Sequence, residues 1–253
     1  MKTYLISIEE NNSPRLLKTL SQPFFQDGEL PVMKLGVKGG ELNAKEYFEL
    51  GVKGRSKPLS PSMVGCTLSH LEALKAFLGT NDQYALILED DAIIPDYVIF
   101  ENLKNEIERL KFNDAFLFSL GGIQMKECRK VRGKILVESF LNRYILKVHP
   151  DFYHRVCYTV AYVIDRKMAE NLIEYHKKMR AADDWRYIPD LYPDSSIYMT
   201  AVVDHPVFES NVKDPTFSTI EAERTSVGDV PISKHGSSLH YNFSKFFNTK
   251  YPL

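Results

Sequence analysis

The sequence predicts an α/β fold built on a largely parallel sheet, and three observations predict it. Short β-branched and aromatic runs alternate with stretches whose apolar residues recur at helical spacing, the order that parallel strands joined by crossover helices produce. One strand-length run, Tyr84 to Leu88, is apolar throughout, which suits a strand covered on both faces. The chain has 253 residues, 44% of them hydrophobic, enough to bury a sizeable core as one large domain with at most a small appendage.

The elements follow in order. Residues 3–8 read as the opening strand. Asn11-Asn12-Ser13-Pro14 supplies a cap and a first-turn proline for a helix from Arg15 to Leu20. Leu30 to Leu35 is a second strand, followed by a glycine-punctuated stretch from Gly36 to Gly54. Ser60-Pro61-Ser62 opens a helix with Val64, Leu68, Leu71 and Leu74 on one face. After the strand at Tyr84 to Leu88, Pro95-Asp96 starts a helix to about Leu110. Ala115 to Leu120 is a strand ending at Gly121-Gly122, a pair too short to form a phosphate loop. Val131 to Val137 and Tyr144 to Val148 form a β pair around a loop. Tyr158 to Ile164 is a strand, Arg166 to Met179 a helix and Ser196 to Val203 a strand. From about Ser210 the pattern thins into polar residues, glycines and prolines, an irregular tail.

Composition removes several classes. The chain carries 32 basic and 33 acidic residues, net −1, without the basic excess of a nucleic-acid binder. Cys66, Cys128 and Cys157 lie far apart with no CxxC pair, which fits reduced, mostly buried thiols better than a zinc knuckle or a disulfide framework. Met1 to Ile8 meets Glu9-Glu10 after too few apolar residues for a signal peptide. No apolar run approaches the roughly 20 residues that span a bilayer. A cytoplasmic protein is the expectation.

Glu89-Asp90-Asp91 follows the apolar strand directly. Adjacent carboxylates raise each other's pKa and resist burial, and a divalent cation is the simplest compensation. Side chains at i and i+2 of an extended chain point the same way, so Glu89 and Asp91 can share a pocket while Asp90 turns to neighbours or to a ligand hydroxyl. Oxygen ligands suit Mg²⁺ or Mn²⁺, and such an ion can hold a diphosphate. The alternative is a solvated acidic turn; the position after five buried-type residues favours the functional reading.

Other positions carry two readings each. Asp183-Asp184-Trp185 offers either a general base for an acceptor hydroxyl or an acidic cap with a packed tryptophan. Ser69-His70 is either a structural hydrogen-bonding pair or part of a site. Arg15 either touches a nucleotide or is solvated. His205 is either a third metal ligand or a loop histidine beside Pro206. A phosphohydrolase acting through an aspartyl-phosphate needs an aspartate at an early strand end, where this chain has only glutamates. A sugar-nucleotide pyrophosphorylase needs an N-terminal glycine-rich signature, which is absent.

Several segments together resemble a known family. Gly65-Cys66-Thr67-Leu68-Ser69-His70 is similar to its Gly-Cys-x-x-Ser-His signature, and Leu86 to Ala92 to its Leu-Glu-Asp-Asp signature. Tyr4 to Leu20 resembles its opening, with Arg15 at the arginine position but Ile8 and Glu9 where Asn-Leu is usual. Ala161-Tyr162-Val163-Ile164, Asp183-Asp184-Trp185 and Ser218-Thr219-Ile220 resemble its later elements. The family is glycosyltransferase family 25, bacterial lipopolysaccharide and lipooligosaccharide glycosyltransferases related to collagen galactosyltransferases, and the likeness is collinear over roughly residues 3–220.

The resemblance implies a single Rossmann-like nucleotide-sugar-binding domain of GT-A type over residues 1–220, with an irregular extension, 221–253, packed on it. It implies an inverting transfer, commonly of galactose from UDP-galactose, assisted by Mn²⁺ or Mg²⁺. Asp91, Glu89 and His205 are the expected metal ligands, and Ile8, Arg15, Ser69, His70, Glu89 and Asp90 the expected donor contacts. Asp184, with Asp183 as alternate, is the expected base. The expected acceptor is a lipid A-linked oligosaccharide at the inner face of the cytoplasmic membrane. The basic and aromatic residues Lys234, Lys245, Phe246, Phe247, Lys250 and Tyr251 suit either a peripheral membrane contact or a surface helix capping the core.

Overall fold

The structure is a computed structural model that describes residues 1–26, 30–206 and 238–253. Ser218-Thr219-Ile220 and Lys234 lie outside the described residues. Strands β1 (Lys2–Ile6), β2 (Val32–Leu35), β3 (Tyr84–Glu89), β4 (Phe116–Gly121), β5 (Arg132–Phe140), β6 (Arg143–Val148), β7 (Ala161–Asp165), β8 (Ser196–Val203) and β9 (Thr249–Lys250) form one sheet. Their order is β2-β1-β3-β7-β4-β8-β6-β5-β9. Among the described residues the α-helices are α1 (Pro14–Leu20), α2 (Pro23–Gln26), α3 (Ala44–Tyr47), α4 (Pro61–Leu78), α5 (Phe100–Leu110), α6 (Arg166–Tyr175), α7 (Ile188–Leu191) and α8 (Ser238–Phe247).

The α/β class is as expected; the largely parallel sheet is not. Among the described residues, only β1–β2, β1–β3 and β4–β8 pair in parallel, and the other five neighbour pairs are antiparallel. Parallel neighbours need a long crossover. Between β4 and β7 the chain instead carries the β5–β6 hairpin, and β7 enters between β3 and β4, antiparallel to both. The hairpin turns at Leu141 and Asn142, with φ of 48° and 61°, the left-handed pair of a two-residue turn that matches strand twist.

Successive residues of the central strands point to opposite faces, and each face has its own core. Ala85 and Ile87 join Leu74 and Phe77 of α4 and Met168 and Leu172 of α6. Leu86 and Leu88 join Leu16 of α1 and Leu103 and Ile107 of α5. The strand read as apolar throughout is thus covered on both sides. Helix α4 starts where Ser60 accepts from the Met63 N–H and Pro61 takes the first turn. Helix α6 starts where the buried Asp165 side chain accepts from Met168 N (2.9 Å), while also accepting from Ala115 N (2.8 Å) and Phe116 N (3.1 Å).

Several boundaries move. The helix expected from Pro95 begins at Phe100, because residues 95–98 close a turn (Val98 N to Pro95 O, 2.9 Å) and Ile99 is extended. The helix expected to reach Met179 stops at Tyr175. The C-terminal residues expected to be irregular contain α8 and β9, and β9 extends the sheet beside β5 through Arg132↔Lys250. Among the described residues no helix is long and apolar enough to cross a membrane.

Candidate active site at the strand ends

The topology gathers one end of the sheet. β1 and β3 are parallel and finish together, β7 starts beside the end of β3, and β4 and β8 finish at the same edge. Ligands of open α/β sheets bind outside such strand ends. The approach of β8 to β4 needs a residue without a side chain: a Cβ on Gly121 would lie 2.2 Å from Val203 O. Beyond β8, Asp204 bridges to Ile93 through two backbone hydrogen bonds of 2.9 Å, which carries His205 to the acidic run.

The three carboxylates have different surroundings. Asp90 points inward, accepting from Ser7 Oγ at 2.6 Å and Arg15 Nε at 2.8 Å, while Thr19 Oγ1 donates to its carbonyl. Burial pushes the Asp90 carboxyl up, and Arg15 and Ser7 offset only part of that. Glu89 Oε1 accepts from Thr159 Oγ1 and lies 3.2 Å from His70 Nε2. Burial acts to raise the Glu89 pKa, but His70 and Thr159 outweigh it and hold the group below the usual range. Asp91 Oδ2 is 3.2 Å from Arg15 Nη2 and 3.5 Å from His205 Nε2. Its other oxygen, Oδ1, is buried with no hydrogen-bond partner among the described residues.

Of the expected donor contacts, the structure brings Arg15, Asp90, Glu89 and His70 to this edge. Arg15 is neither solvated nor open to a nucleotide along its whole fork, because it is committed to Asp90 and Asp91. Ser69 is buried; its Oγ donates to Gly65 O at 2.8 Å and accepts from Val37 N at 2.8 Å, fixing the loop after β2. Ile8 lies just past β1 and is 41% exposed. Burial disfavours the charged form of His205, yet the Asp91 carboxylate outweighs it and raises the pKa.

The two candidate bases diverge. Asp184 Oδ1 pairs with Arg186 Nε at 2.8 Å. Asp183 Oδ2 accepts from Tyr158 N at 3.4 Å, and the Tyr158 ring lies 5.2 Å from that of His205. Asp183 therefore connects to the acidic edge and Asp184 is held by its neighbour. Trp185 is buried, as a packed tryptophan would be. Sequence reasoning missed Ser7, Thr19 and Thr159, hydroxyls that reach the run from 70 to 83 residues away in the chain. Nothing local distinguishes them from ordinary strand and helix residues.

A divalent cation fits this donor set: Asp91 supplies a buried oxygen without a partner, and His205 adds an imidazole beside it. Among the described residues, Arg15 is the arginine that faces this run, pairing with Asp90 and Asp91.

Among solved structures, the chain is similar to the mannose-1-phosphate geranyltransferase of Thermus thermophilus, at 13% identity over 81% of this chain and 75% of that one, with a TM-score of 0.38. It is similar also to the galactosyltransferase LgtC in complex with donor and acceptor sugar analogs, at 12% identity over 91% and 98% of the two chains, TM-score 0.37. Likenesses this slight do not bear on the site. No curated protein matches the chain. The model of glycosyltransferase family 25 (LPS biosynthesis protein) matches residues 2–187, a span holding both signatures and the acidic run, and the chain belongs to that family.

Proposed function

We propose that this glycosyltransferase moves a sugar, galactose from UDP-galactose, onto a lipopolysaccharide or lipooligosaccharide core acceptor, with inversion and with Mn²⁺ or Mg²⁺. The observation that carries the metal-assisted reading is Asp91 Oδ1, just past the end of β3, which is buried and has no hydrogen-bond partner among the described residues. Asp91 and His205 would hold the ion, with Glu89 adjacent. Bound there, a divalent cation supplies Lewis-acid stabilisation of charge on the leaving diphosphate.

The chain's own residues do the rest. Arg15, Ser7 and Thr19 fix Asp90, which anchors the turn presenting Asp91. His70 and Thr159 orient Glu89. Asp183 accepts the proton of the acceptor hydroxyl as its oxygen attacks the anomeric carbon; the bond from that carbon to the diphosphate oxygen breaks, and its electron pair leaves with UDP. Asp183 is preferred to Asp184 because its contact with Tyr158 leads to His205 beside the acidic run, whereas Asp184 pairs with Arg186. The acceptor in this reading is linked to lipid A at the inner face of the cytoplasmic membrane. Exposed Phe243, Phe246 and Phe247 beside Lys245 support a peripheral contact there.

The test is UDP release from a panel of UDP-sugars in Mn²⁺, with and without oligosaccharide acceptor. Release that depends on acceptor and is greatest with UDP-galactose is expected. Thermal stabilisation by UDP and Mn²⁺ without turnover of any donor would instead identify a binding protein.

A further inference from the structure

Cys66 and His70 stand four residues apart on α4, so they share a helix face, and that face meets the end of β3. The Cys66 thiol sulfur, a His70 ring nitrogen and a Glu89 carboxylate oxygen all lie within 4.8 Å of one another. His70 Nε2 and Glu89 Oε1 are 3.2 Å apart, close to the edge of a tetrahedron whose centre lies about 2.0–2.1 Å from each ligand, as in zinc sites. We propose that Cys66, His70 and Glu89 form a site for a zinc-type cation, separate from the hard-cation site at Asp91.

The surroundings are those of a built site. Metal-binding histidines usually hold their second ring nitrogen in a hydrogen bond that fixes tautomer and ring plane. His70 Nδ1 lies 3.0 Å from the Tyr162 hydroxyl, and the two rings stack at 5.7 Å. With Nδ1 donating to Tyr162 and Nε2 deprotonated, a cation bound by Nε2 would take the place of the 3.2 Å contact that this nitrogen makes with Glu89 Oε1. Thr159 donates to Glu89 Oε1, so the carboxylate too has an outer partner. Three ligands of sulfur, nitrogen and oxygen type leave a fourth position for water, and a thiolate selects zinc over the magnesium and manganese that all-oxygen sets prefer. Spacing hides the site in the sequence, because the ligands come from one helical turn and a strand rather than a CxxC pair.

The transfer reaction need not be right for this site to exist, and the test reads metal binding alone. The full-length chain, stripped of metal, is titrated with Co²⁺ in the presence of excess Mg²⁺. One Co²⁺ per chain should bind with a near-ultraviolet thiolate-to-cobalt charge-transfer band, Zn²⁺ should displace it, and Cys66→Ser should abolish the band. A second measurement covers a variant that fails to fold: in the native chain, Zn²⁺ should slow alkylation of Cys66 at least tenfold while leaving Cys128 and Cys157 unchanged. No band, a band that survives Cys66→Ser in a folded variant, or unprotected Cys66 would each overturn the assignment.

Discussion

Asp91→Asn keeps the size of the side chain and removes charge from the buried oxygen that lacks a partner. In Mn²⁺ the dissociation constant for UDP, measured by calorimetry, should rise about 100-fold or more, since even outer partners of a metal are worth roughly 10- to 100-fold. Unchanged affinity would remove the metal role. Asp183→Asn should lower kcat by about 10² to 10⁴, the range of general-base contributions, and leave UDP affinity unchanged. Asp184→Asn should change kcat far less, because its carboxylate is committed to Arg186; the reverse ranking would return the base to Asp184. A third residue reads out in stability. Burial, aided by Arg180 and His70, lowers the His176 pKa from 6.5 to about 3. The folded state therefore excludes a proton that the unfolded chain binds. This stability is complete above pH 6.5 and is lost as pH falls toward 3, at up to about 1.4 kcal/mol per pH unit. Urea titrations at pH 7 and 4.5 should show a smaller acid loss in His176→Gln than in the native chain. Equal losses would mean that the imidazole protonates in the fold.

At the scale of elements, the Gly65 to His70 signature is a joint between two loops and the acidic edge. A Cβ on Gly65 would sit 2.5 Å from Gly39 N and 2.6 Å from Val37 O, and these are backbone atoms that have no rotamer to yield. Ser69 accepts from Val37 N, and Thr67 donates to Arg180 O at 2.8 Å. Gly65→Ala should therefore push the loop after β2 off α4 at a cost of about 1–3 kcal/mol or more, seen as a lower urea midpoint together with weaker donor binding. A midpoint within error of the native one would mean that the loop is not seated on α4. What the sequence could show here was the motif and its helix, because a serine cap, a proline and apolar spacing are local signals. It could not show that Ser69 serves a loop rather than the donor, since that contact spans 32 residues. The same limit explains Arg15: its place at the first helical turn was readable, its ion pair with Asp90 across 75 residues was not. Strand existence was legible because burial on both faces writes an unbroken apolar run, whereas strand direction depends on the path between strands and leaves no residue signature.

Across the whole molecule, the strand ends collect the acidic edge, while α8 and β9 close the opposite margin of the sheet, beside the hairpin. That margin is charged differently from the chain as a whole. Strands β5, β6 and β9 and helix α8 carry Arg132, Lys134, Arg143, Lys147, Lys245 and Lys250 against Glu138, although the chain's net charge is −1. Phe246 and Phe247 are 88% and 83% exposed, an arrangement of apolar and basic groups suited to an anionic bilayer surface. Each basic residue near such a surface contributes about 1 kcal/mol, and burying one phenylalanine about 1.5–3 kcal/mol. Replacing both phenylalanines by serine should then lower binding to anionic vesicles at least about tenfold, with little change in stability because neither side chain packs in the core. Raising salt from about 0.1 M to about 1 M should weaken binding of the native chain as the screening length falls from about 10 Å to about 3 Å, whereas neutral vesicles should bind poorly at either concentration. Flotation that is the same for the native chain and the double variant would leave α8 as a cap on the sheet edge alone, its buried Tyr241 bonded to Arg155 at 2.8 Å, and the acceptor would then have to be met without help from this surface.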